Sequence, residues 1–381
     1  MIYLDNAATT PVLPEVREAM LPYLRTEFGN PASVHGLGIA ARDAVENARA
    51  RVATVLGMRP GDVIFTSGGT EANNLAIKGI GIAAQQRTGA RHVVSTPIEH
   101  ESVLQSIDYL QRVHGFTATL LPVDGCGRVD PEDVRAAITA ETAVVSVGYA
   151  NNEIGTIQDV HAIAAATGVV PFHTDAVQAA GWLPLLREAV GADAISLAGH
   201  KVGAPKGTGV LGVRGRIPLE PLLHGGGQQR GKRSGTEDVA GAVGLATALE
   251  FAQVRRAERA AHVQAARDRL IAAVLTQIPG AELTGDAELR LPGTASFVLT
   301  GVSGESVLIE LERRGVISSS GSACAAGSSE PSHVLIALGL TAEKAQTAVR
   351  FTFSALSAPP PDQVVDQIAQ AIADSAAANT P

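Results

Sequence analysis

Aromatic residues make up only 3% of the 381-residue chain, and cysteine occurs twice, at Cys126 and Cys324. Two cysteines are too few for a disulfide framework or a complete four-thiolate cluster site. With aromatics scarce, alanine, valine and leucine do most of the packing. Residues 1–5 lack a basic stretch followed by an apolar one, which argues against a secretory signal. No run is long and apolar enough to span a bilayer. Basic charge is also short: 30 Lys and Arg against 38 Asp and Glu leave a net charge of −8. That balance argues against nucleic-acid and membrane-surface partners. The glycine turns match neither the Walker nor the dinucleotide-binding spacing, and there are no repeats. A soluble protein of a reducing, cytoplasmic compartment is expected.

What is present is a large apolar reserve. The chain is 45% apolar and 18% charged, which suits an extensive core. Its length exceeds a single domain of roughly 100–200 residues, so two are expected. Strand-like and helix-like stretches alternate: strands at 62–66, 92–95, 117–122, 143–148, 169–173, 194–198 and 207–213, with helices between, among them 71–80 and 102–113. This alternation predicts an α/β fold with a mostly parallel sheet between helices. One long helix over 239–278 then leaves the sheet. The remainder predicts a smaller α/β domain, with strands at 295–299, 316–318 and 349–353, helices at 305–313 and from Pro331, and a terminal helix. The large domain is assigned to residues 14–255. The small domain takes 1–13 and 256–381.

In parallel sheets of this type the ligand lies beyond the carboxyl ends of the strands. His100, Asn151, Asp175 and Lys201 all fall there. Lys201 closes a stretch in which the apolar run 194–198 ends in Gly199 and then presents His200 and Lys201. A lysine in such a place is either a surface residue at a strand end or a desolvated nucleophile able to form a Schiff base. Gly68-Gly69-Thr70 lies between a strand and a helix, which is either a plain turn or an anion site on a helix amino terminus. Residues 5–11 carry small side chains and two threonines, suited to a plain turn or to a backbone closing over a ligand.

A Schiff-base lysine points to pyridoxal phosphate or a carbonyl substrate. Pyridoxal phosphate needs an acidic partner for its ring nitrogen, an anion pocket and a planar neighbour for its ring. Asp175, the Gly69-Thr70 turn and His100 are candidates for these, with Gln178 for the ring hydroxyl. An amino-acid substrate needs a carboxylate clamp, and Arg350 is the natural fork. Taken singly, the Asp could be a helix cap, the His an ordinary polar residue and the Arg a surface one.

The order of these motifs resembles the NifS/IscS-type cysteine desulfurases, class V members of the fold-type I pyridoxal-phosphate enzymes. It is carried by His100, residues 151–155 (NNEIG), 175–178 (DAVQ), 199–201 (GHK), 224–230 (HGGGQQR), 233–236 (RSGT) and 320–324 (SGSAC). It runs from Tyr3 to beyond Arg350. The cysteine loop, followed by residues 330–335 (EPSHVL), is similar to the long-loop group of these enzymes.

The resemblance implies a homodimeric enzyme that converts L-cysteine to L-alanine and leaves a persulfide on Cys324, for an iron–sulfur scaffold or another sulfur acceptor. Lys201 then forms the Schiff base and moves protons at the substrate α-carbon. Asp175 pairs with the ring nitrogen, Gln178 with the ring oxygen, and His100 stacks on the ring as a candidate acid or base. Gly69, Thr70 and His200 hold the phosphate, with Thr236 arriving from the partner subunit. Asn151 borders cofactor and substrate, and with Arg350 binds the substrate carboxylate. No resident metal is implied, though Cys324 is a candidate transient ligand to a transferred cluster. The chain departs from the family at Ala198, where a phosphate-binding serine is frequent. Two readings compete: another class V activity, such as selenocysteine lyase or aminotransferase, and a non-catalytic scaffold. The loop at 319–329, made of Ser, Gly, Ala and Cys, is expected to move between substrate and acceptor.

Overall fold

The apolar runs read from the sequence form the middle of a seven-stranded sheet. The computed structural model describes residues 1–186, 190–254, 256–320 and 330–379. Its strands in chain order are β1 (Ile2–Tyr3), β2 (Val63–Thr66), β3 (His92–Ser95), β4 (Thr117–Leu120), β5 (Thr142–Ser146) and β6 (Phe172–Asp175). They continue with β7 (Ala194–Ala198), β8 (Gly209–Val213), β9 (Ala281–Leu283), β10 (Thr294–Leu299), β11 (Val316–Ile317) and β12 (Ala348–Thr352). The main sheet has the order β2-β8-β7-β6-β5-β3-β4. Only β8 runs against its neighbours; the other pairings are parallel.

Every residue of β3, β5, β7 and β8 is buried, because helices cover both faces and leave no side for water. Successive side chains serve opposite cores, as the period of two requires. Val63, Val94, Val145, Ile195 and Val210 pack into one core with the helices Pro14–Arg25, Gly36–Leu56 and Val239–Gln253. Their strand neighbours Ile64, Val93, Val144, Ala194 and Leu211 pack into the other, against the helices Gly69–Thr88 and Glu101–His114. Fully burying one Val, Leu or Ile contributes about 1.5–3 kcal/mol, so these double rows fix the register of the strands whose ends carry the candidate site.

A separate core forms around β10 and β12, with the helices Arg256–Gln277, Gly304–Arg313 and Asp362–Ala378. Its sheet has the antiparallel order β12-β10-β9, and β1 pairs in parallel with β11. Leu4, near the start of the chain, belongs to this core.

Three expectations are corrected. The single helix over 239–278 is two, Val239–Gln253 and Arg256–Gln277. Val254 is extended (φ −66°, ψ 127°), and Arg259 Nη2 donates to the carbonyls of Phe251 and Ala252, satisfying acceptors that the break leaves unpaired. The strand expected at 169–173 lies at Phe172–Asp175. Gly168, at φ 60°, ends the helix Val160–Thr167, and the chain spends 168–171 turning back. Asp175 is therefore the last residue of the strand. Pro331 does not open a helix: Ser332 caps one over His333–Ala337, its hydroxyl accepting from the Leu335 N–H. Among the described residues no helix is long and apolar enough to cross a membrane.

Candidate active site

Loops from the carboxyl ends of β2, β3, β5, β6 and β7 open onto one cavity of about 350 Å³. Gly69, Thr70, His100, Asn151, Asp175, Gln178, Ala198, His200, Lys201 and Arg350 all line it. Ten positions drawn from six stretches of sequence thus share one wall. Thr236 does not reach it from its own chain; it lines a second cavity of about 180 Å³ with Thr66, Ser67, Thr208 and Arg233. Cys324, and most of the loop expected to move, lie outside the described residues.

Lys201 ends a single 3-10 turn, Gly199–Lys201, that follows buried β7. The turn needs glycine at 199, since a Cβ there would lie 2.2 Å from Thr208 Oγ1. Lys201 Nζ donates to the carbonyl of Ala7 and, at 2.8 Å, to that of Ala8. Gln178 Nε2 also donates to the Ala7 carbonyl, at 3.0 Å. The amino-terminal segment therefore forms part of the cavity wall through its backbone, as its small residues suggest. It is pinned by Thr10, whose N–H and hydroxyl both donate to the His200 carbonyl at 2.9 Å.

Gly69 and Thr70 form the first turn of the helix Gly69–Thr88, whose cap residue Gly68 supplies no side-chain bond. The leading N–H groups of a helix have no intrahelical partner and carry the positive end of its dipole. Here they stand uncapped by any side chain beside a cavity. A Cβ on Gly69 would meet Val177 Cγ2 at 2.8 Å and Ala198 Cβ at 3.4 Å, so glycine lets this turn approach the ends of β6 and β7.

Asp175 Oδ1 accepts from the Val177 N–H at 2.9 Å, and Oδ2 from Asn73 Nδ2 at 2.6 Å. His100 caps the helix Glu101–His114, its Nδ1 accepting from the Ser102 N–H at 3.0 Å. Asn151 is largely committed to its own turn: Oδ1 accepts from the N–H groups of Glu153 and Ile154, and Nδ2 donates to the Ile98 carbonyl. Arg350 comes from β12 and arrives paired, Nη2 with Asp5 Oδ1 at 2.9 Å and Nη1 with the Asn152 carbonyl at 2.9 Å.

In and next to the cavity, three titratable groups are displaced far from their ordinary values. His200 is pushed down to about 4, first by burial and then by Lys201 and Lys206. His173, beneath Asp175 and bonded to the hydroxyls of Ser146 and Ser196, is also pushed down to about 4 by burial. Glu99, 5% exposed on the cavity wall, is pushed up to about 7, first by burial and partly by Asp175. Between about pH 4.5 and 6.5 the unfolded chain binds protons on both histidines that the folded chain refuses, while folded Glu99 holds one that the unfolded chain has lost. Net, the unfolded state binds about one more proton, so these groups make stability fall on acidification through that window. Urea unfolding at pH 7 and pH 5 is expected to show this drop. Glu99→Gln, which removes the opposing group, should steepen it; a shallower drop in that variant would contradict the assignment.

Sequence reasoning missed Glu99, Asn73, Ser102 and Asp5. Glu99 carries a weak signal, since it directly precedes His100. Asn73 lies one helical turn beyond Gly69, a spacing common to any helix.

Ala198 is 2% exposed on the cavity wall. Ala198→Ser is expected to tighten cofactor binding up to about tenfold or leave it unchanged, since one neutral hydrogen bond contributes roughly 0.5–1.5 kcal/mol. Cofactor titration by absorbance checks this. A clear weakening would show that the close contact around Gly69 requires a methyl.

Residues 2–370 match the family described as Aminotransferase class-V, and the chain belongs to that family. An IscS-like cysteine desulfurase of Mycobacterium tuberculosis is 45% identical over 358 residues, 92% of this chain and 91% of the relative. The cysteine desulfurase IscS of Dictyoglomus turgidum is 42% identical over 353 residues, 92% and 89% of the two chains. A solved NifS-like protein superposes with a TM-score of 0.89 at 36% identity, covering 98% of each chain. Within the class V family the chain therefore belongs with the IscS- and NifS-type cysteine desulfurases, whose cofactor is pyridoxal phosphate.

The residues fit that cofactor. The cavity joins an uncapped helix amino terminus for a phosphate, a carboxylate at a strand end for a ring nitrogen, and a lysine behind a buried strand.

Proposed function

We propose that this chain is a cytoplasmic, homodimeric cysteine desulfurase that takes sulfur from L-cysteine, releases L-alanine and passes the sulfur to an iron–sulfur scaffold or another acceptor. The observation that carries the reading is the meeting of Lys201, Asp175, His100 and the Gly69-Thr70 helix start in one cavity, in a chain 42–45% identical to desulfurases. A non-catalytic scaffold would have no use for that set. We also propose a large domain of residues 14–255 and a small domain of 1–13 with 256–381; the core around β10 and β12 supports this division.

When bound, pyridoxal phosphate supplies an electron sink for the substrate α-carbon. Lys201 would hold it covalently and move the proton at that carbon. Asp175 would hold the ring nitrogen, Gln178 the ring oxygen, and His100 one ring face. Gly69, Thr70 and neutral His200 would bind the phosphate by hydrogen bonds, with Thr236 of the partner subunit completing the cup. Arg350 and Asn151 would orient the substrate carboxylate. Cys324 as thiolate would attack the substrate sulfur, forming an S–S bond as the substrate C–S bond breaks; the carbon skeleton, once protonated, leaves as alanine.

The test is to supply L-cysteine to the purified holoenzyme, assay alanine and sulfide, and look for a persulfide by mass spectrometry. Alanine without sulfur on any cysteine would overturn the transfer step. Turnover of selenocysteine in preference to cysteine would favour the lyase reading.

A further inference from the structure

The His100 imidazole is held by more than its place at a helix start. Its Nδ1 receives two donors, the Ser102 backbone N–H at 3.0 Å and the Ser102 hydroxyl at 2.8 Å. A backbone N–H can only donate, so Nδ1 must present its lone pair, and the neutral ring carries its proton on Nε2. With its own hydrogen aimed at His100, Ser102 Oγ is an acceptor toward its other neighbour. That neighbour is Asn73 Nδ2, at 2.9 Å. The same nitrogen donates to Asp175 Oδ2 at 2.6 Å.

The direction of this chain is determined. Turning the Asn73 amide over would set its oxygen against a carboxylate oxygen, two acceptors face to face. As placed, Asn73 is 1% exposed, and its Oδ1 has no hydrogen-bond partner among the described residues. Burying an unpaired carbonyl is unfavourable, so its two N–H bonds must outweigh that loss. Asp175 thus orients Asn73, Asn73 orients Ser102, and Ser102 orients His100, across three segments joined only by the fold.

We propose that Ser102, anchored through Asn73 to Asp175, is a positioning residue that keeps His100 an Nε2–H donor in the cavity. This rests on the proposed desulfurase site. It assigns His100 the role of a hydrogen-bond donor through Nε2 rather than a base at that nitrogen in the resting enzyme. Protonating Nδ1 would break the bond from the Ser102 N–H and force the hydroxyl bond to reverse, turning Ser102 Oγ from donor to acceptor. Removing the hydroxyl alone would leave the bond from the Ser102 N–H to Nδ1 in place.

The test uses protein with ¹⁵N-labelled histidine rings, the His100 signals being assigned by their loss in His100→Asn. At neutral pH the cofactor-free wild type should show one tautomer, protonated at Nε2, with Nδ1 in a hydrogen-bonded position. Ser102→Ala should move the Nδ1 signal toward an unbonded imine nitrogen, and Asn73→Ala should move it the same way by less. In the holoenzyme, Ser102→Ala should lower kcat for L-cysteine roughly 3- to 10-fold, the size of one neutral hydrogen bond, with KM changed less than about twofold. Ser102→Thr, which keeps the hydroxyl, should restore the Nδ1 signal and most of kcat. An Nδ1-protonated ring in the wild type, unmoved signals in Ser102→Ala, or an unchanged kcat in that variant would each overturn the proposal. The wild-type spectrum decides the tautomer even if a variant fails to fold. Wild-type holoenzyme that released no alanine, while showing the expected tautomer, would instead overturn the desulfurase reading.

Discussion

Lys201→Ala is expected to lower alanine and sulfide release from L-cysteine by at least roughly three orders of magnitude, because in the proposed site it removes the cofactor's attachment and the proton-moving group together. Lys201 is the end point of a narrow construction: buried β7, a glycine that alone fits against Thr208, and one turn that delivers Nζ to the cavity. In the absence of cofactor its ammonium is held by two backbone carbonyls, so the variant loses chemistry without exposing any of the core. Stopped activity assays measure the loss. Borohydride reduction of the wild type followed by peptide mapping should place the cofactor label on Lys201. A label on Lys206, or a variant retaining a tenth of wild-type activity, would remove Lys201 from its role.

The second large effect is expected at Cys324. Cys324→Ser should retain the cofactor absorbance and lose persulfide formation and sulfur transfer, since the proposed cofactor attachment rests on the strand ends described above. Cys126 supplies the control. It is half-buried in the turn at 124–127 and is not among the residues lining the Lys201 cavity. Burial, then the carboxylates of Asp124 and Asp286, push its thiol up, which leaves less of the reactive thiolate. Cys126→Ser should therefore turn over near the wild-type rate. If Cys126→Ser were dead and Cys324→Ser active, the nucleophile would have been misassigned.

Lys201, Asp175 and His100 could be read from the sequence because each lies at or a few residues past the end of an apolar run. Lys201 follows β7, Asp175 closes β6, and His100 begins the helix after β3, so local pattern and parallel topology together brought them to one edge. Residues whose role depends on a distant partner were not readable. Asn73 matters because Asp175 and Ser102, 102 and 29 positions away, close on its amide. Arg350 was recognised as a fork, but Asp5, 345 positions earlier, was not seen as its partner. The break at Val254 was hidden because good helix formers stand on both sides of it. The strand at 172–175 was placed three residues early because Val169 and Val170 resemble strand residues, yet Val169 is 92% exposed in a turn set by Gly168.

The pinning of residues 2–10 has a consequence for how the protein is made. Ile2 and Tyr3 pair with Val316 and Ile317, Asp5 bonds Arg350, and the Leu4 carbonyl accepts from the Thr352 N–H. At roughly 5–20 residues per second of synthesis, residues 2–10 wait on the order of 20–70 seconds for these partners. Until β12 has emerged, the wall that holds Lys201 Nζ through Ala7 and Ala8 lacks the bonds that join Asn6 and Ala7 to Thr352. A nascent chain can therefore lay down the main sheet early, but the wall formed by residues 5–8 gains its contacts to Arg350 and Thr352 only once β12 has been made.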